Sequence, residues 1–220
     1  HNPRGRVWTQ AELQGVADFC KRHDLLLISD EIHHDLVFGD ARHIPMPLAA
    51  PEISDRLIML TAPSKTFNFA GLHTGQVILP DEGLRERFRR RMLAIYLQGN
   101  SAGETATIAA YSPEGVAYVE ALLPYLDGNR RLFDAAVNAI PGLKSMELQS
   151  TYLAWVDFSG TGMSREDFTR RVEQGARIAA NHGTTFGSGG ENCLRFNLGT
   201  QRARVQEACD RLTQAFSDLQ

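Results

Sequence analysis

The stretch LIMLTAPSKTFNFAGL, residues 57–72, decides how this chain is read. Residues 57–61 are a continuous apolar run of strand length. Such a run suits a strand of a parallel sheet covered on both faces. A turn of small and polar residues follows, with a single lysine, Lys65, among Ser64, Thr66 and Asn68. In open α/β sheets, ligands bind just beyond the carboxyl ends of the strands. The stretch therefore brings one amine to the mouth of a sheet.

Working outward, LLLIS at 25–29 is a second apolar run, and GQVIL at 75–79 is a third that stops at Pro80. The segment 9–23 reads as a helix. Thr9 and Glu12 form a T-x-x-E capping box, and Leu13, Val16, Ala17 and Cys20 share one face. A long helix is expected from Asp81 to about residue 96. Helix, strand, loop, strand, strand, helix is an α/β order.

The pattern then changes. Residues 104–140 read as mostly helical, with Pro113 and Pro124 starting or kinking segments. Residues 151–158 are an expected strand, closed by Gly160 and Gly162. Residues 164–175 read as a helix with Ser164 as N-cap and Gly175 at its end. A short strand is expected at 193–199, then a last helix turning Val205, Ala208, Cys209, Leu212, Phe216 and Leu219 inward. The change of pattern predicts a domain change near residue 118.

The chain has 220 residues, 43% hydrophobic and 22% charged, with net charge −3. That is ordinary globular composition with no electrostatic footprint for nucleic acid. The basic run RERFRRR at 85–91 falls on an amphipathic pattern and reads as a solvated helix face. No apolar run approaches the roughly 18 residues that span a bilayer, so no membrane partner is expected. Cys20, Cys193 and Cys209 lie far apart without a C-x-x-C pair, which argues against a zinc site or disulfide framework and suits a reducing cytoplasm. His33 and His34 are adjacent and point apart at a strand end, so no metal site is expected. The opening HNPRGRVW has no initiator Met and starts inside a turn, which reads as the absence of an N-terminal part.

Three polar groups fall at strand ends or turns: Asn2 in the N-P-x-G turn, Asp30 after LLLIS, and Lys65. Each alone has a bland reading, as a turn residue, a helix cap or a solvated lysine. Together and in this order, HNPRG at 1–5, SDEIH at 29–33 and SKTFNFAGL at 64–72 resemble fold-type I pyridoxal-phosphate (PLP) enzymes of the class I/II aminotransferase group. The closer likeness is to the cystathionine β-lyase branch. It extends through NSAGETATIAAY at 100–111, LLPYLDGNRRL at 122–132 and STYLAWVDF at 150–158 to CLRFNLGT at 193–200.

The resemblance implies a PLP-dependent transferase-like fold. Residues 1–117 would be the C-terminal part of the cofactor domain, and 118–220 a smaller α+β domain. Lys65 would form the Schiff base with the cofactor aldehyde and then act as the base at Cα. Asp30 would pair with the pyridine nitrogen, keeping the ring an electron sink. Asn2 would bond the ring's phenolic oxygen, and His33 would lie near the cofactor where many aminotransferases carry Tyr. Ser64 would contact the phosphate or cap its own turn. Arg195 would hold the substrate α-carboxylate, a task for a planar guanidinium, or else be a surface residue pairing Glu191. His73 stands where many relatives have a cationic phosphate ligand, a departure from the pattern. The family's glycine-containing phosphate loop and ring-stacking aromatic precede the N-P-x-G turn.

The implied function is a C–S β-lyase on cystathionine-like thioether amino acids, in a homodimer. The alternatives are an aminotransferase on the same scaffold and an inactive fragment of such an enzyme.

Overall fold

The computed structural model describes residues 1–219, in two compact units. One comprises Val7–Val37 and Arg42–Ala121. The other comprises His1–Arg6, Phe38–Ala41 and Leu122–Gln220.

The Val7–Ala121 unit opens with helix α1, Gln10–Arg22. Its start is set by the expected capping box: Thr9 Oγ1 accepts from the Glu12 amide at 3.3 Å, and Glu12 Oε2 accepts from the Thr9 amide at 2.8 Å. Strand β1 is Leu27–Asp30, and a short helix α2 spans Met46–Ala49. Strand β2 is Leu57–Thr61, β3 is Gln76–Ile78, and helix α3 is Glu82–Ala94 with Asp81 as N-cap. Helix α4, Ser101–Ala110, is capped by Asn100. The sheet order is β1-β2-β3, with β1 and β2 parallel and β3 antiparallel. The apolar stripe of α1 (Leu13, Val16, Ala17, Cys20) packs with Leu27, Met46, Ala50, Ile53 and Leu57 into one core. Fully burying each large aliphatic there contributes about 1.5–3 kcal/mol.

The apolar run before Asp30 reads as a strand covered on both faces, but β1 alternates. Leu27 and Ser29 are half-buried, while Ile28 is 62% exposed. The run follows its neighbour in parallel as expected. Among the described residues, only one of its faces is covered.

Helix α5, Pro113–Asn138, begins at a proline, whose missing amide costs nothing in the first turn, and carries Pro124 inside. The boundary between the units falls within it.

The other unit holds β4 (Lys144–Ser145), β5 (Leu153–Asp157), α6 (Arg165–Arg170), β6 (Asn181–His182), β7 (Cys193–Asn197) and α7 (Arg202–Ala215). Its antiparallel sheet has the order β4-β5-β7-β6. The helix expected over 164–175 is α-helical only to Arg170 and closes as a π turn, Arg171–Gly175. Phe158 stacks on Phe168 at 4.7 Å and meets Phe216 at 5.9 Å; Val205, Cys209 and Leu212 of α7 are buried. Asn129, fully buried, ties α5 to the chain after β7: its Nδ2 donates to the carbonyls of Leu198 (3.0 Å) and Thr200 (2.9 Å). The N-P-x-G turn belongs to this unit. Gly5 has φ +68°, and its carbonyl accepts from the Gln149 and Ser150 amides, both at 2.8 Å. A Cβ at Gly5 would lie 2.0 Å from Leu148 Cδ1, so only glycine fits.

Candidate active site

In the Val7–Ala121 unit, Asp30 sits opposite Leu60 in the parallel register, so β1 and β2 end at the same edge of the sheet. Asp30 is exposed, and Oδ1 accepts from the Ile32 amide at 3.2 Å. After β2 the chain turns sharply. The Phe67 amide bonds the Pro63 carbonyl at 2.9 Å, and the Phe69 amide bonds the Ser64 carbonyl at 3.1 Å. Asn68 takes φ +55°, a left-handed conformation that asparagine tolerates. Ser64 and Thr66 are buried, and Lys65 between them is half-buried. The lysine backbone is thus clamped on both sides. His33 is half-buried three residues after Asp30.

Beneath this edge lies a set of polar residues that the sequence reading did not assign. Thr66 Oγ1 donates to Asp35 Oδ2 at 2.9 Å, and Asp35 Oδ1 lies 3.1 Å from His34 Nε2. His34 Nδ1 is 2.8 Å from the Glu31 carbonyl oxygen and 3.2 Å from Thr61 Oγ1. The buried Glu31 carboxylate accepts from Ser29 Oγ (3.0 Å) and the Met46 amide (2.9 Å), with His43 Nε2 at 2.7 Å. Burial works against the charge on Glu31, but the bonds from His43, Met46 and Ser29 outweigh it, and its pKa lies below the usual carboxylate range. Asp35 is likewise lowered: burial opposes the charge, and His34 with the Thr66 hydroxyl favours it. His34 is raised, chiefly by its bond to Asp35 and against its own burial. Five titratable residues within DEIHHD, at the end of a strand, were the signal for this cluster.

In the other unit, Arg195 lies on β7 opposite Trp155 of β5 and Asn181 of β6. Nη1 donates to Asn2 Oδ1 at 2.7 Å, and Nη2 donates to Asn181 Oδ1 at 2.8 Å. The guanidinium carbon stands 4.6 Å from the centroid of the Phe186 ring, which meets Trp155 edge-on at 5.5 Å. Arg195 Nε is buried without a hydrogen-bond partner. Burial lowers the Arg195 pKa, yet a guanidinium keeps its proton. Glu191, the alternative partner, instead accepts from the Gly189 amide at 3.1 Å. Both side chains holding Arg195 are neutral amides, so they orient its fork without cancelling its charge. Asn181 and Phe186 escaped the sequence reading, because a two-residue strand leaves no periodic trace.

His73 is exposed at the end of the 3-10 turn Ala70–Leu72, with φ +47°. A cleft of about 250 Å³ in the Leu122–Gln220 unit is lined by residues including Arg4, Asp157, Glu191 and Cys193, and by none of the expected site residues. Burial pushes the Cys193 thiol up to about 11, which leaves it a poor nucleophile. All three cysteines are free and buried. Among the described residues, no three His, Cys, Asp or Glu side chains are grouped to hold a metal ion, and no helix is long and apolar enough to cross a membrane.

Asp30 and Lys65 thus fall at and just beyond the carboxyl ends of adjacent parallel strands, where open α/β sheets bind their ligands. The pattern of the aminotransferase class I and II family matches residues 1–212, and the chain belongs to that family. Cystathionine beta-lyase PatB of Bacillus subtilis is 34% identical over 219 residues, covering 99% of this chain and 56% of PatB. An aspartate aminotransferase of Pyrococcus horikoshii is 30% identical over 218 residues, covering 98% of this chain and 54% of that protein. The crystal structure of cystalysin from Treponema denticola, which contains a pyridoxal 5'-phosphate cofactor, superposes with a TM-score of 0.92 at 33% identity, over 100% of this chain and 56% of cystalysin. The family is PLP-dependent and its members are enzymes. The chain spans about half the length of the curated relatives it matches.

Proposed function

We propose that this chain carries part of the active site of a PLP-dependent C–S β-lyase acting on cystathionine-like amino acids. The observation that carries the reading is Lys65, clamped between buried Ser64 and Thr66, at the sheet edge where Asp30 exposes its carboxylate.

The donor set of the Val7–Ala121 unit suits the cofactor: an amine for its aldehyde, a carboxylate for its ring nitrogen and a hydroxyl, Ser64, for its phosphate. When bound, PLP supplies an electron sink for the substrate Cα. Lys65 carries the cofactor and later takes the Cα proton. Asp30 would keep the ring nitrogen protonated, and His33 would be a further group near the cofactor. In the other unit, Asn2 has an amide nitrogen to donate to the ring oxygen. Arg195 offers its fork to the substrate carboxylate, a role favoured by its neutral amide partners. Loss of the Cα proton to Lys65 would let the C–S bond break at Cβ, Lys65 would return that proton to the departing thiolate, and water would hydrolyse the remainder to pyruvate and ammonia. The lyase course is supported by the SDEIHHDL string and by relatives named cystathionine beta-lyase. Three buried thiols suit the cytoplasm, and the family resemblance adds a homodimer.

Two measurements on the PLP-loaded protein test this. Borohydride should fix the cofactor on Lys65; a label elsewhere, or none, overturns the assignment and favours an inactive fragment. Cystathionine given alone should yield equal amounts of pyruvate, ammonia and homocysteine over many turnovers. Turnover only with an added keto acid would make it an aminotransferase, as the Pyrococcus relative is named.

A further inference from the structure

The geometry points to His34 as a positioning residue for the Lys65 turn. Held as an imidazolium between the Glu31 carbonyl and the Asp35 carboxylate, it orients Asp35, which grips Thr66 beside the lysine; the grip loosens when His34 gives up its proton.

The protonation follows from the partners. Nδ1 lies 2.8 Å from the Glu31 carbonyl oxygen, which can only accept, so Nδ1 carries hydrogen. Nε2 lies 3.1 Å from Asp35 Oδ1, and an ionised carboxylate also only accepts, so Nε2 carries hydrogen too. A neutral imidazole has one donor and cannot satisfy both oxygens. Asp35 in turn accepts from Thr66, which is 2% exposed and adjacent to Lys65. The path from ring to lysine is therefore two contacts and one peptide bond long, and both side chains flanking Lys65 are buried.

The groups facing His34 agree on the sign. Asp35 and Glu31 favour its charge. His43, with its ring centroid 6.1 Å away, is itself bonded to the Glu31 carboxylate. Thr61 Oγ1 approaches the same Nδ1 at 3.2 Å, and Tyr111, which bonds Thr61, has its pKa raised by burial and by Asp35 and so stays neutral. With the His34 pKa raised and the Asp35 pKa lowered, the grip is complete between the two values. It is lost as pH rises through the His34 value and as pH falls through the Asp35 value.

The test is histidine NMR on the PLP-loaded protein, with the His34 signal assigned from His34→Gln. We expect a His34 midpoint above the ordinary value of about 6.5, and a fall towards that value in Asp35→Asn. The Phe67 and Phe69 amides, bonded within the turn, should exchange faster above that midpoint by more than the intrinsic rise, and His34→Gln should abolish this step. A midpoint at or below about 6.5, an unmoved midpoint in Asp35→Asn, or purely intrinsic exchange overturns the proposal. If Asp35→Asn does not fold, the wild-type midpoint and the exchange profile decide. The consequence for catalysis rests on the reading of Lys65 as the cofactor-bearing lysine. These readouts do not: borohydride labelling that misses Lys65 while His34 titrates as expected would remove the function and leave the network standing.

Discussion

Arg195 Nη1 donates to Asn2 Oδ1 across 2.7 Å, joining residues 193 positions apart. A second neutral amide, Asn181, takes the other end of the fork at 2.8 Å. The guanidinium is thereby fixed in plane and direction with its charge intact, and its buried Nε has no partner of its own. A carboxylate in either amide's place would form an ion pair and compete with an incoming anion.

Replacing Arg195 by Lys keeps the charge and removes the planar fork. In the PLP-loaded protein, kcat/KM for the amino acid should fall by the equivalent of about 2–4 kcal/mol, as for a broken buried charged pair. Steady-state kinetics check this, and unchanged values would place Arg195 outside substrate binding.

Asp30→Asn keeps the shape of the side chain and removes its charge. Cofactor binding should survive, weakened, while turnover drops by orders of magnitude, because the ring nitrogen loses the group that keeps it protonated. Cofactor titration and single-turnover rates separate the two effects. Normal turnover would refute the role.

Glu31→Ala should destabilise the Val7–Ala121 unit. It strips the Met46 amide and the Ser29 hydroxyl of their acceptor and leaves His43 without its carboxylate. An unsatisfied buried donor costs about 1–3 kcal/mol, measurable by urea unfolding at neutral pH. Because the Glu31 pKa is lowered on folding, its stabilisation exists above the unfolded carboxyl value and fades as pH falls through the folded one. The gap between wild type and variant should therefore shrink in acid. A gap that grows in acid would contradict the assignment.

Much of the fold was legible in local sequence. The Thr9–Glu12 capping box marks the start of α1, the run at 57–61 is β2 residue for residue, and the inward stripe of α7 buries Val205, Cys209 and Leu212. These signals are short in range: a cap satisfies the first amides of its own helix, and a periodic stripe follows from backbone geometry alone. The positions of Asp30 and Lys65 were legible for a like reason, since the one directly follows an apolar run and the other stands in the turn after one.

Other features depend on what the chain meets in space. The apolar composition of β1 cannot reveal that Ile28 lies 62% exposed, because coverage is a property of neighbours. That Glu31, rather than the adjacent Asp30, turns inward to a core amide and a histidine twelve residues on is decided by where Met46 and His43 fold back. The alternation of side chains along an extended chain sends adjacent carboxylates to opposite faces, but which face is buried is a tertiary outcome. The sequence by itself determined the family, the order of the longer helices and strands, and the lysine in the turn after β2, all carried by contiguous residues. Only the tertiary structure decided that Arg195 is held by Asn2 and Asn181, and that Thr66, Asp35 and His34 brace the lysine turn, because those hydrogen bonds join groups the chain must fold to bring together.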